Sequence, residues 1–334
     1  MSTPLLEVSD LRTTFHTPRG TLHAVNGVNF RLDVGATMGI VGESGSGKSV
    51  LARTIARLLP GAPYASCSGS VRLDGTDLLA LDENALSSVR GRRIGFVFQD
   101  PMSSLNPVQT IGRQITQVLQ RHGSYTQRQV RERAVELLAQ VGIRSPAQRL
   151  ADSPHQFSGG MRQRVVIAIA LAADPQLLIA DEPTTALDVT VQARVLELLR
   201  KLQEQHRMGL LLISHNLAVV AQVCERVGVM YGGQMVEQAS VEQTFMRPRM
   251  RYTSALLHAI PSLESVPHER LYTIKGRPPT LTSPPVGCPF APRCEAVQER
   301  CHTQQPPMVE DAEGIFACWN PPHYPSTSDR KPNP

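Results

Sequence analysis

The chain has 334 residues, of which 41% are hydrophobic and 19% are charged, and its formal net charge is +5. This is the balance of a globular protein with a sizeable core, long enough for two domains or for one large domain with an appendage. A basic chain is compatible with a nucleic-acid partner or an anionic membrane surface, but lysine and arginine are scattered and aromatic residues make up only 4%. Because no stripe of basic and aromatic residues is present, no nucleic-acid partner is expected.

The N-terminal residues give no indication of a secretory signal, since they carry acidic side chains and lack a charged start followed by an apolar run. The longest apolar stretches, such as 165–173 and 210–213, are too short to cross a bilayer. We therefore expect a cytosolic protein whose membrane role would depend on a partner. In that compartment the six cysteines are not expected to form disulfides.

Short β-branched runs alternate with helical stretches from residue 5 to about residue 237. Residues 35–41 predict a buried strand, and residues 49–59 have the apolar spacing of a helix. Between them, GESGSGKS at 42–49 fits the pattern G-x-x-x-x-G-K-[ST]. Glycines allow backbone N–H groups to surround phosphates, and the helix start adds a positive dipole end. The predicted ATP contacts are Gly42, Ser44, Gly45, Gly47, Lys48 and Ser49, with Lys48 reaching the β- and γ-phosphates and Ser49 ligating Mg²⁺.

A second apolar strand at 177–180 ends in the adjacent carboxylates Asp181 and Glu182. Two acidic residues after a strand are usually a solvated turn or a helix cap. Downstream of a phosphate loop they instead favour a Mg²⁺ ligand at Asp181 and a general base at Glu182 that polarises the attacking water.

The stretch from about 104 to 164 is mostly helical, with a clear amphipathic segment at 129–141. It ends in FSGGMRQR at 157–164, in which Ser158, Gly159 and Gly160 open a helix. Taken alone, this segment is equally well explained as an ordinary serine N-cap followed by glycines. Together with the other motifs, it resembles the signature segment of the ATP-binding-cassette ATPases.

Further elements of that family follow in the family's order. Gln99 matches the Q-loop, residues 186–188 match the D-loop with Asp188 at its end, His215 matches the switch histidine, and Phe15 is identified as the aromatic that stacks on adenine. The resemblance implies an α/β P-loop NTPase cassette: a RecA-like core with an antiparallel β subdomain and a helical insert. Lys48, Gln99, Glu182 and His215 would carry catalysis, and Gln99 would also be a Mg²⁺ ligand together with Ser49 and Asp181.

The family resemblance also implies partners. Two cassettes pair head to tail, so that Ser158, Gly159 and Gly160 of one close over the ATP held by the phosphate loop of the other. Serine and the helix N-terminus behind it offer donors and a positive end to the γ-phosphate. Cassettes of DNA repair usually carry long coiled coils, and those of translation usually carry two phosphate loops in one chain; neither feature is present. A non-transport cassette that acts on nucleic acid or ribosomes is therefore the less favoured alternative.

Three phrases, at 41–49, 98–107 and 180–190, are similar to importer ATPases for di- and oligopeptides. That subfamily implies a second, different ATPase chain, with Met161 marking this chain as the first of the pair. It also implies two permease subunits, a separate solute-binding protein and a location on the cytoplasmic face of the plasma membrane. Metal chelates such as those of nickel, glutathione, antimicrobial peptides or oligosaccharides remain alternative cargoes, because the ATPase does not touch the solute. The chain departs from the subfamily at Asn216 and at residues 250–251.

Four cysteines near the C-terminus, Cys288, Cys294, Cys301 and Cys318, follow the pattern C-x5-C-x6-C-x16-C. The gaps are wider than those of zinc modules and suit the larger cage of an iron–sulfur cluster. Zinc and free buried thiols remain alternatives, and the family resemblance implies a [4Fe–4S] cluster of structural role. Cys67 and Cys224 are interpreted as unrelated thiols. We expect a cassette at 1–240, with its insert at about 104–164, and a cysteine-rich extension at 241–334 that ends in a disordered tail from residue 321.

Overall fold

The computed structural model describes residues 4–18, 20–185, 187–260, 272–282 and 286–324. Ala186 of the predicted D-loop and the tail beyond residue 324 therefore lie outside the described residues. The strands are β1 Leu6–Thr17, β2 Gly20–Leu32, β3 Thr37–Val41, β4 Ala65–Leu73, β5 Thr76–Asp77, β6 Ile94–Val97, β7 Leu177–Asp181, β8 Gly209–Ser214, β9 Arg226–Tyr231, β10 Gln234–Ser240, β11 Val309–Asp311 and β12 Gly314–Phe316.

The helices lie between and after these strands. They are α1 Lys48–Ile55, α2 Glu83–Val89, α3 Pro101–Ser104, α4 Ile111–His122, α5 Gln127–Gln140, α6 Pro146–Arg149, α7 Gly159–Leu171, α8 Val189–His206, α9 Leu217–Ala221, α10 Val241–Met246, α11 Arg251–His258 and α12 Arg300–Thr303. Among the described residues, no helix is long and apolar enough to cross a membrane.

Two sheets organise the chain. The smaller is antiparallel with the order β2-β1-β4-β5, and the larger has the order β11-β12-β10-β9-β3-β8-β7-β6. Within the larger sheet, β3 pairs in parallel with β8 and β9, while β7 pairs in parallel with β8 and β6. The predicted α/β fold with an antiparallel β subdomain is confirmed, and α3 to α7 form the helical insert between β6 and β7.

Residue chemistry explains the main elements. The central strands β3, β7 and β8 are buried along their whole length, which matches their continuous apolar sequence. In the insert, α5 begins with a capping box in which Thr126 and Gln129 satisfy each other's backbone N–H groups. The helices of the insert and one face of the large sheet share a single hydrophobic cluster, so the insert is packed onto the core.

The C-terminal region joins the large sheet. Strand β12 pairs antiparallel with β10, and β11 pairs antiparallel with β12. Arg249 binds both Asp311 and Glu313 of this hairpin, at 2.9 and 2.7 Å. The cysteine-bearing segment therefore continues the core sheet at its edge.

The parallel strands bring the predicted motifs to one edge of the sheet. Because β3, β8, β7 and β6 are neighbours in that order, the residues after their carboxyl ends face a common crevice. The loop at 42–47 follows β3, His215 follows β8, Glu182 follows β7 and Gln99 lies two residues after β6.

Candidate active site

The phosphate loop turns sharply between β3 and α1. Gly42 has φ 154° and Gly47 has φ 100°, conformations that favour glycine. A Cβ on Gly42 would lie 2.2 Å from the carbonyl oxygen of Met230, and one on Gly47 would lie 2.2 Å from that of Ala24. Both glycines are therefore required by close approach of neighbouring backbone as well as by dihedral angle.

Lys48 begins α1 and points back into the loop. Its Nζ donates to the carbonyl oxygens of Gly42 at 2.7 Å and Glu43 at 2.9 Å, and only 4% of the residue is exposed. Burial lowers the pKa of Lys48, while Glu182, Asp181 and Glu43 raise it. The ammonium group is thus held at the centre of a loop of backbone groups, where a phosphate would meet it.

Ser49 and Asp181 meet across the floor of the site. The Ser49 hydroxyl donates to Asp181 Oδ1 at 2.7 Å, and Asp181 is fully buried. Among the described residues, Asp181 Oδ2 has no hydrogen-bond partner, although Arg53 Nε lies 3.8 Å away. Burial is the main reason that the pKa of Asp181 is raised. A hydroxyl beside a buried carboxylate oxygen without a donor fits a hard cation such as Mg²⁺.

Glu182 is the common acceptor for the predicted catalytic side chains. Its Oε2 accepts from Gln99 Nε2 at 3.2 Å and from Thr185 Oγ1 at 2.8 Å, and it lies 3.2 Å from His215 Nδ1. Glu182 has φ +48°, in the left-handed region that is strained for a non-glycine residue. Three residues from three separate loops therefore converge on one carboxylate oxygen.

The signature residues lie at the start of α7. Ser158 is exposed and caps the helix by accepting from the N–H of Met161 at 3.3 Å, and a Cβ on Gly160 would lie 2.4 Å from Val191 of α8. Within the part of the chain that the structure describes, no hydrogen bond or ion pair joins residues 158–160 to residues 42–49.

Two further predicted ATP contacts also lie away from the loop. Asp188 caps α8, its Oδ1 accepting from the N–H of Val191 at 2.9 Å. Phe15 is half-buried on β1, opposite Leu22 and Ala65. The adenine-stacking role of Phe15 and the role of Asp188 stay predictions.

The four C-terminal cysteines share one neighbourhood. Burial raises the pKa of Cys288 to about 11, against a hydrogen bond from the backbone N–H of Phe290, and the three other cysteines raise it further. Burial likewise raises the pKa of Cys294 and Cys318, each of which receives a backbone N–H from the residue two positions later. Among the described residues, however, no group of three or more His, Cys, Asp or Glu side chains is arranged to hold a metal ion.

The two departures from the subfamily have structural roles. Asn216 caps α9, its Oδ1 accepting from the N–H of Ala218 at 2.9 Å. Arg251 donates to the carbonyl oxygen of Asn320 at 2.8 Å, and its charge and backbone N–H both lower the pKa of Cys318. The arginine therefore lies beside the cysteines and favours their thiolate form.

Sequence reasoning missed two residues that hold the phosphate loop and a third that faces Asp181. Arg293 forms a double hydrogen bond with Glu43, and Tyr252 accepts from the N–H of Glu43 at 2.8 Å. Arg53 faces Asp181. One signal was available: Glu43 places an acidic side chain inside an anion-binding loop, where a compensating cation is expected.

Comparisons with known proteins agree with this geometry. Residues 25–185 match the ABC transporter family, and residues 236–301 match the oligopeptide/dipeptide transporter C-terminal region. The chain is 52% identical over 308 residues to the oligopeptide transport ATP-binding protein OppD of Bacillus subtilis, covering 92% of this chain and 86% of that protein. The AppD protein of Bacillus subtilis, also an oligopeptide transport ATP-binding protein, is 47% identical over 94% of this chain and 95% of its own length.

Other similar proteins extend the comparison. OppD of Mycobacterium tuberculosis is 50% identical over 92% of this chain, which spans half the length of that protein. Among solved structures, the dimeric ATP-binding cassette MJ0796 bound to ADP and Pi has a TM-score of 0.63 and 29% identity, covering 71% of this chain and 98% of that one. CbiO1 of Clostridium perfringens has a TM-score of 0.62 and 26% identity, covering 73% of this chain and 91% of that one. The chain belongs to the ATPases of ABC transporters, within the group that carries the oligopeptide/dipeptide transporter C-terminal region.

Proposed function

We propose that the chain hydrolyses ATP to drive peptide uptake through a membrane importer. The observation that carries the ATPase chemistry is the convergence of Gln99 and His215 on Glu182, beside the phosphate loop. The peptide cargo is supported by the names of the relatives, which are oligopeptide transport ATP-binding proteins, and by the matching C-terminal region.

The positions of the side chains support the following mechanism. Lys48 and the backbone N–H groups of the loop bind the β- and γ-phosphates, while Ser49 and Asp181 would hold Mg²⁺. When bound, Mg²⁺ neutralises charge on the phosphate oxygens. Glu182 accepts a proton from the attacking water, and His215 orients that carboxylate and donates toward the γ-phosphate. Gln99 connects this arrangement to the helical insert, because it lies two residues before the start of α3.

A second cassette would complete the site. Ser158 is exposed at the N-terminus of α7, a 13-residue helix, so its hydroxyl and the helix dipole are free to meet a phosphate of another chain. The similar cassette MJ0796 is dimeric. The proposal is a head-to-tail heterodimer, in which Asp188 and residues 158–160 face the partner's nucleotide.

Three exposed apolar side chains in the segment that follows β6 support a membrane partner. Phe98, Met102 and Val108 are exposed by 37, 59 and 88%. Such side chains at the rim of the helical insert suit contact with another protein. We propose that these side chains contact the permease subunits, of which the importer would have two. The chain would then lie on the cytoplasmic face of the plasma membrane. A solute-binding protein would act on the opposite side.

Purification of the tagged chain from detergent-extracted membranes tests the proposal. Two integral-membrane permeases and a second cassette are expected to co-purify, and the complex should hydrolyse ATP faster when a peptide-loaded binding protein is added. Nucleic acid in place of permeases would support a cassette of another class. If a nickel chelate or glutathione stimulates ATP hydrolysis and peptides do not, the proposed peptide cargo is wrong.

We propose a structural [4Fe–4S] cluster as the chain's second cofactor on the spacing of Cys288, Cys294, Cys301 and Cys318, although the described side chains are not arranged to hold a metal ion. The thiols of Cys288, Cys294 and Cys318 each receive a backbone N–H, and Arg251 supplies a nearby positive charge. Donors and cations of this kind stabilise the negative charge of cluster-bound thiolates. In the proposed division of the chain at residue 240, the four cysteines belong to the C-terminal extension.

Anaerobic purification tests the cluster. The protein should be brown with broad absorbance near ~400 nm, and Cys301→Ser should lose the colour while Cys67→Ser keeps it. A colourless wild-type protein containing zinc would contradict the assignment.

A further inference from the structure

Glu43 carries a negative charge inside the loop that binds ATP, and Arg293 compensates it. Arg293 Nη1 lies 2.7 Å from Glu43 Oε2, and Nη2 lies 3.0 Å from Oε1, so the two groups form a bidentate pair. The arginine side chain is 5% exposed and the glutamate side chain 23%. The partners are 250 positions apart in the chain, which makes the pair a property of the tertiary fold.

Arg293 is itself held in a single orientation. Its Nε donates to the carbonyl oxygen of Lys275 at 2.9 Å, Nη2 donates to that of Ile274 at 3.3 Å, and Nη1 donates to the hydroxyl of Tyr231 at 3.2 Å. Every nitrogen of the guanidinium group therefore has a partner, and the fork that faces Glu43 is preorganised.

Tyr252 holds the backbone of the same loop residue. Its hydroxyl oxygen accepts from the N–H of Glu43 at 2.8 Å, and its ring lies 4.4 Å from that of Tyr231 and 5.4 Å from that of Phe290. Both the side chain and the backbone of Glu43 are therefore fixed by residues that follow the core cassette motifs.

The electrostatic consequence concerns the nucleotide. The carboxylate of Glu43 is close enough to Lys48 to favour its charged form, so without Arg293 it would compete with ATP for that lysine. It would also repel the triphosphate, since like charges in a partly buried site are weakly screened. The bidentate pair opposes both effects, because it places a positive charge 2.7 and 3.0 Å from the two oxygens of the carboxylate.

We propose that Arg293 is a positioning residue for ATP binding. By neutralising and orienting Glu43, it keeps the phosphate loop able to bind ATP. The C-terminal extension thereby completes the nucleotide site of its own chain. This inference rests on the proposed ATPase function and adds to it a residue outside the family's motifs.

Titration of the purified protein with a fluorescent ATP analogue tests the inference. Arg293→Met should weaken binding by at least about tenfold, because it leaves the Glu43 charge uncompensated beside the phosphates. In ATPase assays the same variant should raise KM for ATP more than it lowers kcat. Arg293→Lys should recover part of the loss. Arg277→Met, which removes an exposed arginine of the same region, serves as the matched control.

The charge argument has its own test in the double variant. Glu43→Gln combined with Arg293→Met should bind within about threefold of wild type, because no unpaired charge remains. Because the double variant carries no charge at either position, it can still be measured if Arg293→Met alone fails to fold. Equal binding by wild type and Arg293→Met, or a double variant as weak as the single one, would overturn the inference. Failure of the wild-type protein to bind the analogue at all would instead contradict the proposed function.

Discussion

Glu182 combines a strained backbone with three side-chain contacts. Its φ of +48° persists because Gln99, Thr185 and His215 all bind its carboxylate, and its own N–H donates to the carbonyl oxygen of Ile213 at 3.0 Å. A residue held in this way has a fixed position before substrate arrives. That is what a general base needs, since proton transfer depends on hydrogen-bond distance first and on pKa second.

Glu182→Gln is expected to reduce ATP hydrolysis by more than about 10²-fold, because an amide cannot accept the proton of water. The amide keeps the size of the side chain, so ATP should still bind and ATP-bound dimers should accumulate. Phosphate release and size-exclusion chromatography with ATP measure the two effects. Glu132→Gln, on the exposed face of α5, is the control and should hydrolyse ATP normally. Near-normal ATP hydrolysis by Glu182→Gln would show that Glu182 is not the general base.

At the scale of elements, local patterns explain the core of the fold better than its edge. The strands β3, β7 and β8 were predicted because each is a continuous apolar run, and the amphipathic helix α5 because of its spacing. The hairpin of β11 and β12 was not predicted. Its strands have three residues each, and they form only because β10, about 70 residues earlier, offers a free edge.

The same contrast applies to the active site. The motifs predicted Lys48, Ser49 and Glu182, whose side chains contact groups of the same loop or of a neighbouring one. They could not predict Arg293, because no short pattern marks an arginine that acts on a glutamate 250 positions away. Such a pair depends on the path of the chain after the last strand of the cassette.

The β11–β12 hairpin is anchored by Glu313, which pairs with Arg247 at 2.9 Å and Arg249 at 2.7 Å. The hydrogen bond from Arg247 lowers the pKa of Glu313, partial burial opposes this, and the charge of Arg249 lowers it further. A carboxyl with a depressed pKa in the folded state stabilises the fold above its ordinary value of 4.5. That stabilisation is lost as the pH falls through the depressed value.

Glu313→Gln should therefore lower the free energy of unfolding by about 1 kcal/mol at pH 7, a modest figure because a fifth of the side chain is exposed. The difference from wild type should shrink as the pH falls below 4.5, where the unfolded-state carboxyl becomes protonated. Urea denaturation at pH 7 and at lower pH measures it. Glu310→Gln, an exposed residue of β11, should show little change at either pH. A difference independent of pH would refute the ionic explanation.

At the scale of the whole molecule, the cysteines and the ATP site belong to one connected structure. Arg293 ends a short 3-10 turn at Ala291–Arg293 that lies between Cys288 and Cys294. The N–H of Cys288 donates to the carbonyl oxygen of Cys301 at 2.7 Å, and Phe290 packs against Tyr231 and Tyr252. The cysteine segment therefore determines where Arg293 lies, and Arg293 determines the environment of the phosphate loop.

Cys294→Ser is accordingly expected to weaken ATP binding by about as much as Arg293→Met, at least about tenfold, although Cys294 does not line the nucleotide site. Cys67→Ser, on the exposed surface of β4, should bind normally. Adding Glu43→Gln to Cys294→Ser should restore most of the lost affinity, because the glutamate charge is the means by which the segment acts. Titration with the same fluorescent ATP analogue measures all four proteins, with circular dichroism to show that the cassette remains folded. If the added Glu43→Gln restores nothing, the cysteines influence the site by a route that does not pass through Arg293.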